Sequence, residues 1–488
     1  MDNFCMMQFF EWNVPDDGGH WERLAAQCKA LATAGIGAVW IPPCTKGGEP
    51  GSVGYDVYDL YDLGEFNQKG SVRTKYGTKA ALRQAVQAAH AAGIKVIADV
   101  VLNHKASADA TERFRVVEVD PNDRNRVISE PFDIEGWTRF SFPGRGDQYS
   151  PFQWHFFHFS AVDRDELSKR SGIFKIIGDH KDWAQTVDEE KGNFDYLMSA
   201  DIDYHHPDVV AEIQQWAIWL IQTLELDGFR MDAVKHISQH FVKSLIDYIR
   251  ANLSRDFFVV GEYWNADEER LNRFINESDQ EIQLFDVALH YHLAEASHQG
   301  RAYDMTQLFL GTLVATNPFR AVTFVDNHDS QPGESLESWV SAWFKPIAYA
   351  LILLMRDGLP CLFYGDYYGI NGGEAGKRDL IDPLLHARMH LAYGEQTSYF
   401  DHPNVVGLIR HGDGQHPFSG LALIASTGDD GTKYMRFDPS RAGAVFHDLL
   451  GHCDEHITLD AQGGAMFTVK AGTVSVWADV QWHSPHAG

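Results

Sequence analysis

The feature that most constrains the fold is the alternation of short apolar runs with amphipathic helical patterns over about the first 390 residues. The runs that we predict to be strands are Met6–Phe10, Ala38–Ile41, Val96–Val101, Gly228–Met231, Phe257–Val260, Leu284–Ala288, Val322–Val325 and Pro360–Tyr364. The predicted helices between them include Trp21–Ala32, Ala80–Ala91, Val209–Leu224, Phe241–Leu253 and Phe344–Met355. Eight strands with intervening helices predict an α/β fold, a (β/α)8 TIM barrel, and a doubly wound open sheet is the structural alternative.

The polar residues at the strand ends favour the barrel. Four predicted strands run into such residues, which are Val101-Leu102-Asn103-His104, Arg230-Met231-Asp232, Gly261-Glu262 and Asp326-Asn327-His328-Asp329. In a barrel the C-terminal strand ends lie on one rim, where the catalytic groups of this fold gather. Four such endings therefore predict a single active site on that rim.

Two regions interrupt the alternation. Between His104 and His205, residues typical of loops and aromatic residues are frequent and helical periodicity is weak, which predicts a domain inserted after the third strand. From about Ala392 onward, short alternating segments separated by turns predict a C-terminal antiparallel β-sandwich. We therefore expect a barrel domain in residues 1–102 and 206–392, an inserted domain in 103–205, and a sandwich in 393–488.

Composition excludes some partners. The 41 Lys and Arg against 68 Asp and Glu give a net charge of −27, whereas nucleic acids and anionic membranes require basic patches. The longest apolar run, Ala348–Met355, is too short to span a bilayer. The five scattered cysteines form no CxxC pair and no signal-peptide pattern follows Met1, so we expect reduced thiols and a cytoplasmic location. We also expect a monomer.

Common catalytic motifs of other classes are missing. The stretch from Gly372 to Lys377 lacks the glycine spacing of a P-loop and the Ser or Thr after its lysine, and Trp40 occupies the third glycine position of a dinucleotide fingerprint at Gly35. Neither GxSxG nor HExxH occurs. These absences argue against nucleotide-binding enzymes, serine esterases and zincin proteases.

The carboxylates at the strand ends suit glycosidic cleavage. Asp232 and Glu262 end consecutive strands, and cleavage requires one carboxyl group to protonate the leaving oxygen while another attacks the anomeric carbon or activates water. A third acid, Asp329, would crowd them and raise at least one pKa, which lets a glutamic acid keep its proton near neutral pH. Structural salt bridges with Arg230 and Lys235 are the alternative interpretation.

Four segments resemble the signature regions of the α-amylase family of glycoside hydrolases (family 13). They are Asp99-Val100-Val101-Leu102-Asn103-His104, Gly228-Phe229-Arg230-Met231-Asp232-Ala233-Val234-Lys235-His236, Gly261-Glu262-Tyr263-Trp264 and Phe324-Val325-Asp326-Asn327-His328-Asp329. Met198-Ser199-Ala200-Asp201-Ile202-Asp203-Tyr204 is similar to a further signature of bacterial liquefying α-amylases. The similarity is strongest to that type and its cytoplasmic relatives, and it runs nearly end to end.

The resemblance implies retaining endo-hydrolysis of internal α-1,4-glucosidic bonds in starch, glycogen or maltodextrins. Soluble dextrins are expected rather than granules, since no separate starch-binding module fits after the sandwich. Within the family, an enzyme that releases one defined maltooligosaccharide and an α-glucan transglycosylase remain alternatives. A non-catalytic carbohydrate-binding protein is a remote alternative, which the intact acids argue against.

The resemblance also implies roles for individual residues. Asp232 is expected to be the nucleophile, Glu262 the general acid/base, and Asp329 the acid that binds sugar hydroxyls and distorts the ring. Arg230, also counted among the substrate-binding residues, is expected to keep Asp232 ionised. The remaining residues expected to bind substrate are Trp12, Tyr55, His104, Lys235, His236, Trp264 and His328.

These substrate-binding residues divide by chemistry. Tyr55 is expected to stack on the sugar that is cleaved, and Trp12 and Trp264 offer further aromatic platforms for sugar C–H groups. The histidines after the third and seventh strands would hydrogen-bond hydroxyl groups of that sugar. Lys235 and His236 would contact the leaving side.

One structural calcium ion is the expected cofactor, and it would hold the inserted domain beside the cleft. The positions that match its ligands in the family are Asn103, Asp195, Asp201 and the backbone carbonyl of His236. Some liquefying α-amylases carry further acids that bind a sodium and a second calcium. Here Ser160, Ala184 and His205 stand at those positions, so we expect one calcium ion and no extended metal cluster.

Overall fold

The computed structural model describes residues 3–253 and 256–482, and its centre is a closed barrel of eight parallel strands. In chain order the barrel strands are Cys5–Gln8, Ile36–Ile41, Lys95–Val100, Gly228–Met231, Phe258–Gly261, Gln283–Phe285, Ala321–Phe324 and Leu359–Phe363. Each strand pairs with the next, and the eighth closes on the first with Cys361 opposite Met6. The predicted TIM barrel is confirmed, and closure excludes the open sheet.

Helices cover the outside of the barrel. The α-helices in the described residues are His20–Ala34, Lys79–Ala91, Pro207–Leu224, Gln239–Leu253, Glu268–Glu277, Val287–Gln299, Leu313–Thr316, Lys345–Leu354, Tyr364–Tyr368 and Arg378–His390. Their ends follow local rules: Thr78 caps the second helix by accepting from the Ala81 amide, and Gly35 ends the first at φ 98°. All five predicted helices are present.

The sixth predicted strand extends furthest beyond its observed end. The sixth strand ends at Phe285, three residues before the predicted end, and Val287 opens a helix instead. Asp286 causes the change, because its carboxylate accepts hydrogen bonds from the amides of Leu289 (3.1 Å) and Val314 (2.7 Å). A short apolar run by itself does not distinguish a strand from the first turn of a buried helix.

Side chains alternate between two cores along each barrel strand. In the third strand Ile97 belongs to the core inside the barrel, whereas Ala98 belongs to the core between strands and helices. Asp99, next in the alternation, therefore points inward, and Arg230 does so from the adjacent strand, where it meets Asp99. Near the C-terminal rim the interior thus changes from apolar to charged.

The region after the third barrel strand forms an antiparallel sheet. Its strands are His104–Lys105, Ala110–Asp120, Asp123–Val127, Phe132–Arg139, Phe159–Asp165, Arg170–Ile176 and Ala200–Ile202. A separate two-stranded ribbon, Lys46–Gly47 with Val57–Asp59, lies in the loop after the second barrel strand. The chain re-enters the barrel layer with the helix Pro207–Leu224. The inserted domain predicted after strand three is therefore present as a β-domain.

The C-terminal region is a two-layer antiparallel β-structure, as predicted. Its strands are Gln396–Tyr399, Val405–Arg410, Leu421–Ser426, Gly431–Arg436, Val445–Asp448, Ile457–Thr458, Gly464–Val469 and Val474–Asp479. Gly431–Arg436 and Gly464–Val469 pair with each other, and the remaining six form one sheet. The domain boundaries at 102/103, 205/206 and 392/393 stay predictions; each falls between two of these elements. No helix in the described ranges is long and apolar enough to cross a membrane.

Candidate active site

A cleft of about 710 Å³ opens at the C-terminal rim of the barrel. Ten of the predicted catalytic and substrate-binding residues line it, namely Trp12, Tyr55, His104, Asp232, Lys235, His236, Glu262, Trp264, His328 and Asp329. They come from the ends of strands one, three, four, five and seven and from the loop after strand two. The barrel therefore brings together groups that lie as far apart in sequence as residues 12 and 329.

Arg230 lies beneath the cleft floor and is fully buried. Its Nη1 contacts carboxylate oxygens of Asp99 (2.9 Å) and Asp232 (2.7 Å). Its Nη2 lies 3.0 Å from Glu262, and its guanidinium packs over the Trp40 ring at 4.9 Å. The structure thus places Arg230 against the acids and not on the cleft surface that a sugar would touch.

Burial governs the protonation of Glu262. Removal from water raises its pKa to about 7, with Arg230 opposing the shift and Asp232 adding to it. One carboxylate oxygen also accepts a hydrogen bond from the Ala233 amide at 3.1 Å. Desolvation and then the charge of Glu262 raise the pKa of Asp329 well above its ordinary value. Glu262 therefore carries a proton over much of the range up to neutral pH.

His328 is held as a neutral imidazole beside Asp329. Its Nδ1 accepts a hydrogen bond from Gln8 (3.0 Å), which leaves the proton on Nε2, 3.4 Å from Asp329. Desolvation, together with the charge of Arg230, lowers the pKa of His328 well below its usual range. His328 can therefore donate one hydrogen bond toward the cleft.

Three rings stack along one wall of the cleft. Trp12, Tyr55 and His328 lie within 12° of parallel, with ring centroids between 5.1 and 5.8 Å apart. The Tyr55 hydroxyl donates to Asp99 at 2.8 Å, which fixes the ring. His104 donates from Nε2 to the Tyr55 carbonyl at 2.8 Å, and burial lowers its pKa. This wall offers aromatic faces and imidazole edges, as a sugar ring requires.

The opposite wall carries Lys235, His236 and Trp264. The Lys235 ammonium donates to Glu190 (3.0 Å) and to the Trp264 carbonyl (3.1 Å). Nδ1 of His236 donates to the Phe194 carbonyl at 2.7 Å, and burial lowers the pKa of His236 to about 3. This wall thus includes one ammonium group and neutral rings.

The four predicted calcium ligands also converge. The Asn103 amide nitrogen lies 3.4 Å from the Asp195 carbonyl, 3.2 Å from the Asp201 carboxylate and 3.2 Å from the His236 carbonyl. The hydrogen-bond pattern alone decides which end of the Asn103 amide is assigned as nitrogen and which as oxygen. With the amide rotated by 180°, its oxygen would join the other three as a fourth oxygen of this set. Hard oxygen donors from three chain segments fit calcium.

The two acids of this oxygen cluster, Asp195 and Asp201, also favour a bound cation. Desolvation raises the pKa of Asp195 to about 7, and desolvation and the charge of Asp195 raise that of Asp201 well above its ordinary value. Two buried acids that repel each other require a positive partner to ionise. The described residues contain no cluster of three or more His, Cys, Asp or Glu that could hold a metal, so amide and carbonyl oxygens would complete the ligand set.

Several residues that shape the cleft were not assigned roles from the sequence. Asp99 binds Arg230, Tyr55 and the Trp40 indole (3.0 Å), and its position inside a quoted signature was the available signal. Glu190 holds Lys235 from a loop 45 residues away, and no sequence pattern indicated it. Contacts of this kind depend on the folded arrangement alone.

A model of the α-amylase catalytic domain matches residues 7–398. The chain belongs to the α-amylase family. It is 50% identical to the glucan 1,4-alpha-maltohexaosidase of Bacillus sp. (strain 707), over 98% of this chain and 92% of that protein. It is 49% identical to the alpha-amylase of Bacillus licheniformis, over 97% and 93%. It is 44% identical to the cytoplasmic alpha-amylase of Escherichia coli (strain K12), over 98% and 99%.

Solved structures agree with this family at the level of the fold. The alpha-amylase from Geobacillus thermoleovorans, crystallised with acarbose, superposes with a TM-score of 0.65 at 18% identity, over 97% of this chain and 98% of that one. The family match and the close relatives make this chain a glycoside hydrolase of α-amylase type, which hydrolyses internal α-1,4 bonds.

Proposed function

We propose that Asp232 is the nucleophile, Glu262 the general acid/base and Asp329 a substrate-distorting acid in retaining hydrolysis of α-1,4-glucans. The observation that carries this assignment is that Asp232 and Glu262 both contact the Arg230 guanidinium at the cleft floor, while desolvation raises the pKa of Glu262 to about 7. Retaining glycosidases place two carboxyl groups about 5 Å apart, and a guanidinium that contacts both Asp232 and Glu262 holds these two acids next to each other.

The reaction then proceeds in two steps. In the first, Glu262 gives its proton to the bridging oxygen while Asp232 attacks the anomeric carbon, so the leaving chain departs as an alcohol. In the second, the Glu262 carboxylate takes a proton from water, whose oxygen attacks the anomeric carbon and frees Asp232. The guanidinium of Arg230 stays beside Asp232 throughout, with its Nη1 2.7 Å from the carboxylate.

Asp329 and the stacked wall position the sugar at the cleavage point. Asp329 would hydrogen-bond hydroxyl groups of that ring, and Tyr55 would stack on its face. His104 and His328 add neutral imidazoles, which would hydrogen-bond the sugar hydroxyls without adding charge to the cleft. Trp12 and Trp264 provide the outer platforms.

We further propose one bound calcium ion, held by Asn103, Asp195, Asp201 and the His236 carbonyl. Such an ion would supply structural cross-linking and no chemistry, since its ligands join the insert to the barrel behind the cleft. Asp203, a further buried acid near Asp201, supports a single site, because it already has a positive partner. Its carboxylate contacts the Lys181 ammonium, which also donates to the carbonyls of Phe157 (2.6 Å) and Phe159 (3.0 Å).

The substrate is proposed to be a soluble α-glucan, that is, a maltodextrin, glycogen or dissolved starch. A second candidate is the release of one defined product, maltohexaose, because the relative from Bacillus sp. (strain 707) carries that activity in its name. Transglycosylation is a further alternative within the family. The product time course separates these, since a defined-product enzyme accumulates one oligosaccharide from the start.

We propose a cytoplasmic monomer. The cytoplasmic name of the Escherichia coli relative supports the location, and the free, buried state of all five cysteines is compatible with a reducing compartment. The net charge of −27 opposes self-association. Sedimentation velocity would test the oligomeric state directly.

The experiment that tests the function is digestion of soluble starch by the purified protein, with and without EDTA. Viscosity, reducing ends and oligosaccharide products are followed together. We expect viscosity to fall well before reducing sugar accumulates, and we expect EDTA to remove activity that calcium restores. Starch that stays intact in the presence of calcium would contradict the proposal, and transfer on short maltooligosaccharides would then be measured.

A further inference from the structure

A carboxylate of the inserted domain lies fully buried beside the wall of the cleft that carries Lys235. Oδ2 of Asp188 accepts a hydrogen bond from the Tyr263 hydroxyl at 2.6 Å. Its Oδ1 accepts from Arg270 (2.7 Å) and from the Glu190 amide (2.8 Å). The side chain of Asp188 has no exposed surface, while that of Arg270 is 34% exposed. One carboxylate thus joins the insert to the segment that follows Glu262.

The backbone of Asp188 makes a second connection. Its amide donates to the Lys235 carbonyl at 2.9 Å, in the 3₁₀ turn Val234–His236 after the fourth barrel strand. The same turn is tied to the fifth strand, because the Val234 amide donates to the Glu262 carbonyl at 3.0 Å. Asp188 therefore contacts both segments that build the leaving side of the cleft.

Glu190, two residues after Asp188, completes the arrangement. Its amide donates a hydrogen bond to Asp188, and its carboxylate accepts one from the Lys235 ammonium at 3.0 Å. The Trp264 carbonyl accepts a second hydrogen bond from the same ammonium at 3.1 Å. An ammonium has three donors, and within the described ranges these two acceptors use two of them. Lys235 lines the cleft, and its ammonium also lies 5.0 Å from the centre of the Phe194 ring, so no third oxygen acceptor among the described residues competes with a ligand for the remaining N–H.

We propose that Asp188 is a positioning residue for the leaving side of the cleft, which sets how tightly glucose units beyond the cleaved bond are held. It acts through Tyr263, Arg270, Glu190 and the Lys235 turn and touches no substrate itself. This inference rests on the proposed function and names a determinant of its specificity.

The occupant of the leaving side also determines whether the covalent glycosyl-enzyme reacts with a sugar or with water. When a sugar occupies the leaving side, its hydroxyl oxygen attacks the anomeric carbon, the ester bond to Asp232 breaks, and the hydroxyl proton passes to Glu262. When water occupies it, hydrolysis results by the same exchange of bonds. Loosening the leaving side therefore lowers the ratio of transfer to hydrolysis.

The test uses the full-length calcium-loaded protein with Asp188→Asn and Arg270→Gln variants. Lys243→Gln is the matched control, because Lys243 forms an exposed ion pair with Asp247 (2.7 Å) away from the cleft. Maltoheptaose labelled at its reducing end reports which bond is cut, and a concentrated maltotriose solution reports the transfer ratio. Both quantities are ratios, so they do not depend on the fraction of active enzyme.

We expect both cleft variants to shift cleavage toward bonds with fewer glucose units on the leaving side, by about fivefold in relative frequency, and to lower the transfer ratio similarly. The control should match the parent protein. Unchanged cleavage frequencies in the variants, whatever their overall activity, would overturn the proposal and leave Asp188 a stabilising residue only. If Asp188→Asn does not fold, the part-exposed Arg270→Gln decides the matter. A parent protein that cuts no bond in maltoheptaose would instead refute the proposed function.

Discussion

At the residue scale, the cleft floor combines one cation with several acids whose environments differ. Arg230 contacts Asp99, Asp232 and Glu262, yet Glu262 keeps a pKa of about 7 because it is desolvated. The planar guanidinium holds its donors in a fixed fork and so fixes the carboxylates relative to one another, which a lysine ammonium on a flexible chain would not reproduce. Glu262 can thus keep its proton near neutral pH although it lies beside a guanidinium, as a general acid must.

Replacing Glu262 with Gln should abolish turnover and leave substrate binding intact. The amide keeps the shape of the side chain but has no acidic proton to give, and general acid catalysis contributes about 10²–10⁴ in rate. Starch hydrolysis would measure the loss, and titration calorimetry with maltoheptaose would measure binding. Glu225→Gln, at the end of a helix on the outside of the barrel, is a control. A Glu262→Gln variant with parent activity would refute the assignment.

The pH dependence follows from the same residue. A general acid must be protonated to act, and the pKa of Glu262 is raised to about 7. We therefore expect kcat/KM to be steady below about pH 6, to reach half its plateau near pH 7 and to fall about tenfold per pH unit above that. Initial rates on a soluble maltodextrin from pH 5 to 9 would show this fall in kcat/KM. A rate that stays flat to pH 9 would mean that another group donates the proton.

The positions of the three proposed catalytic acids at one rim were predictable because each follows the end of a barrel strand, where side chains converge by geometry alone. The residues that position these acids were not predictable. Asp99 meets Arg230 across 131 residues of sequence, and Asp188 meets Tyr263 across 75. The first pairing follows from the register of the third and fourth barrel strands, and the second follows from the packing of the insert on the barrel.

At the scale of elements, a cluster of oxygens lies where the inserted domain meets the barrel, and its two carboxylates form no ion pair with any of the described residues. Asp195 and Asp201 lie within the insert, while Asn103 and the His236 carbonyl follow the third and fourth barrel strands. Buried carboxylates without a counter-charge destabilise a fold, so a cation here would stabilise the junction through binding.

Removing calcium should therefore lower the melting temperature, and Asp201→Asn should remove the calcium dependence. Metal analysis of the dialysed protein is expected to give one tightly bound calcium per chain. Differential scanning calorimetry with EDTA and with added calcium measures the effect, and Asp179→Asn, an exposed acid of the insert, serves as the control. Two or more tightly held ions, or a melting temperature indifferent to EDTA, would contradict this prediction.

The elements themselves followed the sequence wherever periodicity was strong. All eight barrel strands were found; Gly228–Met231 has the predicted ends, and the other strands have ends that differ by no more than three residues. The largest shift, at the end of the sixth strand, comes from the cap Asp286, whose bonds to the following helix outweigh the strand preference of Val287. The insert was predicted as a domain but without its seven strands, since half-exposed strands of mixed composition, such as Arg170–Ile176, have weak alternation.

At the scale of the whole molecule, the barrel and the C-terminal domain share a core. The strand Leu421–Ser426 is buried on both faces: Leu423 packs in the core that includes the barrel, and Ile424 packs inside the sandwich. The helix Lys345–Leu354 contacts this sheet and is buried on nearly every side. A helix apolar all round belongs to the interior of a larger body.

A protein shortened to residues 1–392 should accordingly fail to fold into a soluble active barrel. Truncation would expose the outer face of Lys345–Leu354, and contiguous apolar surface of that kind causes aggregation. Soluble yield after centrifugation and activity on maltodextrin measure the outcome. Co-expression of residues 393–488 as a separate chain is the matched control, because it can restore the missing contacts. A soluble, active 1–392 fragment would show that the sandwich is dispensable and that the shared core contributes little to the barrel.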